Sequence, residues 1–228
     1  MEIADGMIEF YYQGETVPGY LAQPALGDRY PGVVLIQEWW GLVPHIKDVA
    51  SRFARHGYVA LAPDLYHGRE ASEPDEARKL AMELDRECAV GEIAAAVCYL
   101  QHWQAPEPRQ VGIVGWCMGG SLAITTAATC EDVQATVAFY GMPRDLEQLP
   151  AIKSPLLGLY AGHDHGITLG AVGELQRRLE RDGTPHEIHV YQESQHAFFN
   201  DTRPTIYDPQ AAEDAWQRTL AWFDRYLR

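Results

Sequence analysis

Val111-Gly-Ile-Val-Gly-Trp-Cys-Met-Gly-Gly120 is the stretch from which the rest of the chain can be read. Val111 to Val114 is an apolar run of strand length, Gly115 to Gly120 is a glycine-rich turn, and a helix-like segment follows from Ser121 through Thr129. Strand, sharp turn and helix together make the layout of a nucleophile elbow, in which glycines flank the reactive residue because the turn leaves no room for a neighbouring Cβ. Cys117 occupies the central position. Taken alone, this pattern is equally a buried, inert cysteine in a glycine-rich connection.

Outward from that stretch, strand and helix signals alternate. Met7 to Tyr12 and Val17 to Gln23 read as a hairpin around Gln13-Gly14-Glu15. Gly32 to Gln37 is a continuous apolar run, as expected of a parallel strand buried on both faces, and Glu38-Trp39-Trp40-Gly41 follows it. Apolar residues at helical spacing run from His45 to His56, with Gly57 placed as a C-terminal cap. Tyr58 to Ala62 is the next strand. The pattern from Asp75 to about Trp103 is helical, with a kink or break expected at Gly91 and an end at Pro106 and Pro108. Further strands are expected at Ala135 to Tyr140, Leu156 to Tyr160 and His186 to Tyr191. Two more helices are expected, one ending at Asp182-Gly183 and one over Ala211 to Leu227. The alternation predicts an α/β fold, a mostly parallel sheet with helices on both faces. With 228 residues, 46% hydrophobic and 22% charged, residues 1–228 are expected to form one domain.

The formal net charge of −14 argues against nucleic acid or an anionic membrane as partner and leaves a small molecule. No apolar run reaches the length of a membrane span and Met1-Glu-Ile-Ala-Asp5 lacks the regions of a signal peptide, so a cytoplasmic location is expected. Cys88, Cys98, Cys117 and Cys130 form no CxxC pair. Cys88 and Cys98 would lie about 15 Å apart along one helix, too far for a disulfide. No compact metal-ligand cluster is present, and neither a metal nor a cofactor is expected.

Ligands of open parallel sheets bind at the carboxyl ends of the strands. Cys117, Asp164 and His196 each follow a predicted strand, in the order nucleophile, acid, base. Each has a plain structural alternative: Asp164 could cap the following helix, His196 could be a loop histidine, and Glu38 could be a solvated turn residue. Asp64 reads as a turn-stabilising side chain. His163 and His165 lack a partner at metal spacing and read as surface positions.

The chain resembles the dienelactone hydrolase family of α/β-hydrolases along nearly its whole length. The resemblance rests on Gln37-Glu38-Trp39-Trp40-Gly41, Ala62-Pro-Asp-Leu65, Gly115-Trp-Cys-Met-Gly-Gly120, Phe139-Tyr-Gly141, Gly162-His-Asp164 and His196-Ala-Phe198. It implies an α/β-hydrolase fold with about eight strands and hydrolysis of a small carboxylic ester or lactone. Cys117 would be the nucleophile, favoured as thiolate at a helix N-terminus, His196 the base and Asp164 its orienting carboxylate. The backbone N–H groups of Met118 and Trp39 would receive the oxyanion. Glu38 would meet the resting Cys117 thiol and disfavour its ionisation. Trp40, Tyr140 and Phe198 would wall the substrate cleft.

Family members that cleave the anionic dienelactone would carry an arginine four residues after the histidine, where this chain has Asn200. Arg69, Arg78 and Arg203 are possible substitutes. A neutral ester or lactone therefore fits better, since a buried carboxylate without a cation is costly. The same residues would also serve a phosphorus ester, an acyl transfer to another acceptor, or a catalytically silent binding protein. A monomer or small homo-oligomer is expected.

Overall fold

The computed structural model describes residues 1–27, 29–103, 109–147 and 152–228. Eight strands form one sheet: β1 (Ile3–Tyr12), β2 (Glu15–Pro24), β3 (Gly32–Ile36), β4 (Val59–Pro63), β5 (Val111–Trp116), β6 (Ala135–Phe139), β7 (Leu156–His163) and β8 (His186–Gln195). Their spatial order is β1-β2-β4-β3-β5-β6-β7-β8. The β1–β2 hairpin is antiparallel and joins β4 antiparallel, while all pairings from β4 to β8 are parallel. Among the described residues six helices pack on this sheet: α1 (Pro44–Arg55), α2 (Pro74–Glu83), α3 (Arg86–His102), α4 (Met118–Thr129), α5 (Leu169–Asp182) and α6 (Pro209–Leu227).

The period of two along β3 explains the layering. Val33 and Leu35 pack with Ile46, Val49 and Phe53 of α1 and with Trp216 and Phe223 of α6. Val34 and Ile36 point to the other face and pack with α3, α4 and α5 through residues such as Ile93, Leu122 and Leu175. Every residue of β3, β4, β5 and β6 is buried, which is why these strands read as unbroken apolar runs.

Three local expectations need correction or completion. The break in the α2–α3 region falls at Leu84–Asp85 and not at Gly91. Asp85 ends the first helix and starts the second, its side chain accepting hydrogen bonds from the N–H groups of Glu87 and Cys88. Gly91 instead makes room for a neighbour, since a Cβ there would lie 2.0 Å from the Tyr12 hydroxyl oxygen. The helix ends at His102, and the stop expected at Pro106 and Pro108 lies outside the described residues. Finally, β7 and β8 continue three and four residues beyond Tyr160 and Tyr191, to His163 and Gln195, through a register irregularity between Ala161 and His163. Gly162 permits this because a Cβ there would meet the Gln192 carbonyl oxygen at 2.2 Å. The extension delivers Asp164 and His196 side by side.

Candidate active site

The elbow has the strain its sequence implies. Cys117 stands between β5 and α4 with φ 56° and ψ −115°, a conformation that costs a non-glycine residue of order 1–3 kcal/mol. The turn is held on both sides: the Cys117 N–H donates to the Phe139 carbonyl at 3.0 Å, and the Cys117 carbonyl accepts from the Ser121 N–H at 3.2 Å. A Cβ at Gly115 would lie 2.1 Å from the Gly119 carbonyl oxygen, and one at Gly119 would lie 2.2 Å from that of Ile36. The flanking glycines are therefore needed for contact between β5, α4 and β3. Cys117 itself is half-buried.

His196 follows β8 and Asp164 follows β7. His196 Nδ1 lies 2.6 Å from Asp164 Oδ2, and the Cys117 side chain acts electrostatically on the same imidazole. Asp164 Oδ1 accepts from the N–H groups of Gly166 at 2.7 Å and Ile167 at 3.0 Å. One carboxylate thus both bonds the imidazole and shapes its own turn, while the cap of the following helix is Thr168, whose side chain accepts from the Ala171 N–H at 3.2 Å. Burial alone would raise the Asp164 carboxyl, but the His196 hydrogen bond and charge and the two backbone donors hold it below its ordinary value. Burial alone would lower the His196 imidazole, yet Asp164 and Cys117 prevail and push it up from 6.5 to about 10.

The raised histidine predicts the pH dependence of stability. A group whose folded value exceeds its unfolded one stabilises fully below the unfolded value and loses that contribution as pH rises to the folded value. The Tm difference between the wild type and His196→Gln should therefore be greatest below pH 6.5 and shrink between pH 6.5 and about 10. Paired melting curves across that range test this; a difference that stays constant or grows with pH would contradict it.

Glu38 lies two residues beyond β3 and is 2% exposed. Its Oε2 accepts from Asn200 Nδ2 at 2.7 Å, and its Oε1 accepts from the Tyr140 hydroxyl at 3.5 Å. Asn200 is also buried, and its Oδ1 is occupied by the N–H and hydroxyl of Thr202 at 3.1 and 2.6 Å, which fixes the amide with its NH₂ toward Glu38. The absent arginine thus leaves a carboxylate held by two neutral donors.

Trp39 and Trp40 are half-buried and meet edge to face, and Arg203 lies over the Trp40 ring at 5.4 Å. Tyr140 and Phe198 have no exposed surface; the Tyr140 ring stands 5.0 Å from that of His196 and 5.4 Å from that of Phe198. They back the histidine from inside the core. Burial first, then the charge of Glu38, pushes the Tyr140 hydroxyl well above its ordinary value, so it remains a donor. His163 and His165 are exposed, and Asp64 closes its turn by accepting from Tyr66 and Gly68 N–H groups at 3.1 and 2.6 Å. Among the described residues no group of three or more His, Cys, Asp or Glu is placed to hold a metal.

Two neighbours of Cys117 were missed by sequence reasoning. Tyr66 is buried, and its hydroxyl donates to the Trp39 carbonyl at 3.2 Å and meets Met118 Sδ at 3.5 Å, tying together the two segments that flank the cysteine. Arg86, the first residue of α3, lies within the electrostatic reach of Cys117, whereas Arg69 and Arg78 form exposed pairs with Glu83 and Asp75. Tyr66 lies just past the Ala62-Pro-Asp-Leu65 motif, but nothing in the local pattern says where its hydroxyl points. Arg86 had no sequence signal.

The strand order, the strained elbow and the strand-end residues define an α/β-hydrolase. The sequence model of the dienelactone hydrolase family matches residues 17–227, and the chain belongs to that family. It is similar to protein usf of Aquifex pyrophilus, with 38% identity over 97% of this chain and 98% of that one. A protein of Aquifex aeolicus that bears a carboxymethylenebutenolidase name is 36% identical over 97% and 99%. A crystal structure from Klebsiella pneumoniae assigned to the dienelactone hydrolases superposes with a TM-score of 0.89 at 29% identity, covering 99% and 100%. No helix among the described residues is long and apolar enough to cross a membrane.

Proposed function

We propose that the protein hydrolyses small neutral carboxylic esters or lactones through an acyl-enzyme on Cys117, with His196 as base and Asp164 as its orienting carboxylate. The observation that carries this reading is Cys117 in a strained elbow, within the electrostatic reach of an imidazole that Asp164 holds at 2.6 Å. With its raised value His196 already holds the proton of the pair at neutral pH, so sulfur adds to the carbonyl carbon as thiolate and the imidazolium passes its proton to the departing alkoxide. Water, deprotonated by the same imidazole, then cleaves the thioester and releases the acid. The N–H groups of Met118, at the start of α4, and of Trp39 receive the oxyanion, and the Tyr66 hydroxyl keeps their segments in register. Trp39 and Trp40 supply aromatic walls, while Tyr140 and Phe198 support the histidine from behind.

Glu38 belongs to this proposal as the group that controls the resting cysteine. Its bonds to Asn200 and Tyr140 give the carboxylate a place to rest away from the sulfur. A cytoplasmic setting is part of the same reading, supported by four free cysteines.

The test is to incubate the protein with activated neutral esters, lactones and phosphotriesters and to locate the covalent adduct by peptide mass. The adduct is expected on the peptide carrying Cys117, with turnover for the carboxylic esters. An adduct elsewhere refutes the mechanism, and turnover confined to phosphotriesters refutes the substrate class. Glu38→Gln is expected to change the rate at which iodoacetamide alkylates Cys117; identical alkylation and ester kinetics would remove Glu38 from the mechanism.

A further inference from the structure

The two segments that carry Glu38 and Asn200 are bridged more than once. Glu38 opens the short loop that leads from β3 into α1, and Asn200 lies in the run of turns between β8 and α6. Besides the Glu38–Asn200 bond, Arg203 covers the Trp40 ring, and Asp201 is joined to α1 itself. Asp201 Oδ1 lies 3.2 Å from His45 Nδ1, and its Oδ2 accepts from the Arg52 guanidinium, which also bonds Asp48. His45 and Arg52 stand about two turns apart along one face of α1, so the carboxylate is gripped by a rigid element.

His45 is 3% exposed, its ring meets that of Phe199 edge to face at 6.2 Å, and its Nε2 has no hydrogen-bond partner among the described residues. A buried nitrogen without a partner costs stability that an apolar side chain at the same place would not. What the imidazole supplies against that cost is the bond to Asp201. Burial alone would raise the Asp201 carboxyl, but Arg52 and then His45 hold it below its ordinary value, so it grips as a carboxylate.

Asn200 is the next residue in the chain, and its own turn is tight. Its N–H donates to the Ala197 carbonyl at 3.0 Å, its carbonyl accepts from the Arg203 N–H at 3.1 Å, and Thr202 fixes the side-chain amide. A displacement of Asp201 therefore carries the Asn200 amide with it. The Tyr140 hydroxyl meets Glu38 at 3.5 Å and feels the charge of both Glu38 and Cys117, which places the carboxylate and the sulfur in one neighbourhood.

We propose that Asp201, gripped by His45 and Arg52, is a positioning residue: it seats Asn200 where the amide binds Glu38, and so keeps that carboxylate away from the Cys117 sulfur. The inference rests on the ester-hydrolase reading, in which Glu38 controls the resting cysteine. Without the grip, the turn at Asn200 shifts and the 2.7 Å bond to Glu38 is lost. A buried carboxylate deprived of one donor takes another, and the thiol of the resting cysteine is a donor in the same site. A negative charge beside the sulfur then opposes formation of the thiolate.

Alkylation of Cys117 by iodoacetamide, followed by peptide mass from about pH 5 to pH 10, tests the clamp because only the thiolate reacts. The samples are wild type, Asp201→Ala, Arg52→Gln, Glu38→Gln and the double variant Asp201→Ala/Glu38→Gln, each with a thermal melt. Asp201→Ala is expected to move the profile about one unit to higher pH and to slow alkylation about tenfold at neutral pH. For a 4-nitrophenyl ester, kcat should fall in parallel while KM changes little. Arg52→Gln should shift the profile in the same direction by less. In the Glu38→Gln background the loss of Asp201 should move the profile no further, since no carboxylate is left to release. A lower Tm with an unmoved profile would make Asp201 a purely structural residue and overturn the inference. A full shift in the Glu38→Gln background would overturn it too, because Asp201 would then act by another route. Should Asp201→Ala not fold, an unmoved profile in Arg52→Gln decides against the clamp. Undiminished hydrolysis in Cys117→Ala would overturn the ester-hydrolase reading, whereas the alkylation profile, which needs no turnover, judges the clamp separately.

Discussion

Cys117→Ala is expected to lower kcat for an activated neutral ester by roughly 10⁴-fold or more while the protein stays folded. The magnitude follows from removal of a nucleophile whose partners act only through it; in such a unit the loss of one member costs about as much as the loss of all. The fold should tolerate the change because alanine keeps the Cβ, so the strain at φ 56° is neither relieved nor increased. The half-buried sulfur also leaves little cavity. Stopped-flow hydrolysis of a 4-nitrophenyl ester, with a thermal melt on the same sample, separates the two quantities. A variant retaining a tenth of the wild-type rate would exclude Cys117 as nucleophile. A large drop in Tm would mean that the rate loss reports the fold.

The cysteine was legible in the sequence because its environment is backbone geometry, and backbone geometry leaves glycines behind. Gly115, Gly119 and Gly120 mark places where β5, α4, β3 and β6 come closer than a Cβ allows. The buried strands were legible for a related reason, since a parallel strand covered on both faces must be apolar throughout. What could not be read is whatever depends on side chains from distant segments. Tyr66 and Met118 are far apart in sequence and meet only because β3 lies between β4 and β5. Arg86 reaches Cys117 because Asp85 starts a new helix there, and the long helical pattern hid that boundary until Asp85 was seen as a cap.

Asn200 illustrates the middle case. Its identity, asparagine where an arginine was expected, could be read directly, and the absence of a cation followed from it. Its partner could not: the amide serves Glu38, 162 residues away in sequence, and is itself oriented by Thr202. The cation on that side of the site is Arg203, which lies over the Trp40 ring at 5.4 Å and acts on the Tyr140 hydroxyl.

Gly119→Ala should produce a large stability loss for one added methyl group. Two effects compete. Alanine is favoured over glycine inside a helix by about 1 kcal/mol, and Gly119 lies in the first turn of α4. Against this, the new Cβ would stand 2.2 Å from the Ile36 carbonyl oxygen and 2.5 Å from that of Gln37, both backbone atoms with no rotamer to yield. Overpacking costs typically 1–3 kcal/mol even where side chains can adjust, so here the clash should win by about 2–3 kcal/mol. In a chain of this size that is a Tm decrease of roughly 4–12 °C. Relief can come only if the end of β3 moves away from α4, and that motion carries Glu38 and Trp39 away from Met118. Ester hydrolysis should therefore fall even below the melting range, by an increase in the barrier as the two proposed oxyanion donors separate. Gly6→Ala is the control: a Cβ there meets nothing within 4 Å, and both Tm and rate should stay near wild type. If Gly119→Ala melted within roughly 2 °C of wild type, a loss of less than about 1 kcal/mol, and kept its full rate, the close seating of α4 on β3 would not be what holds the donors together.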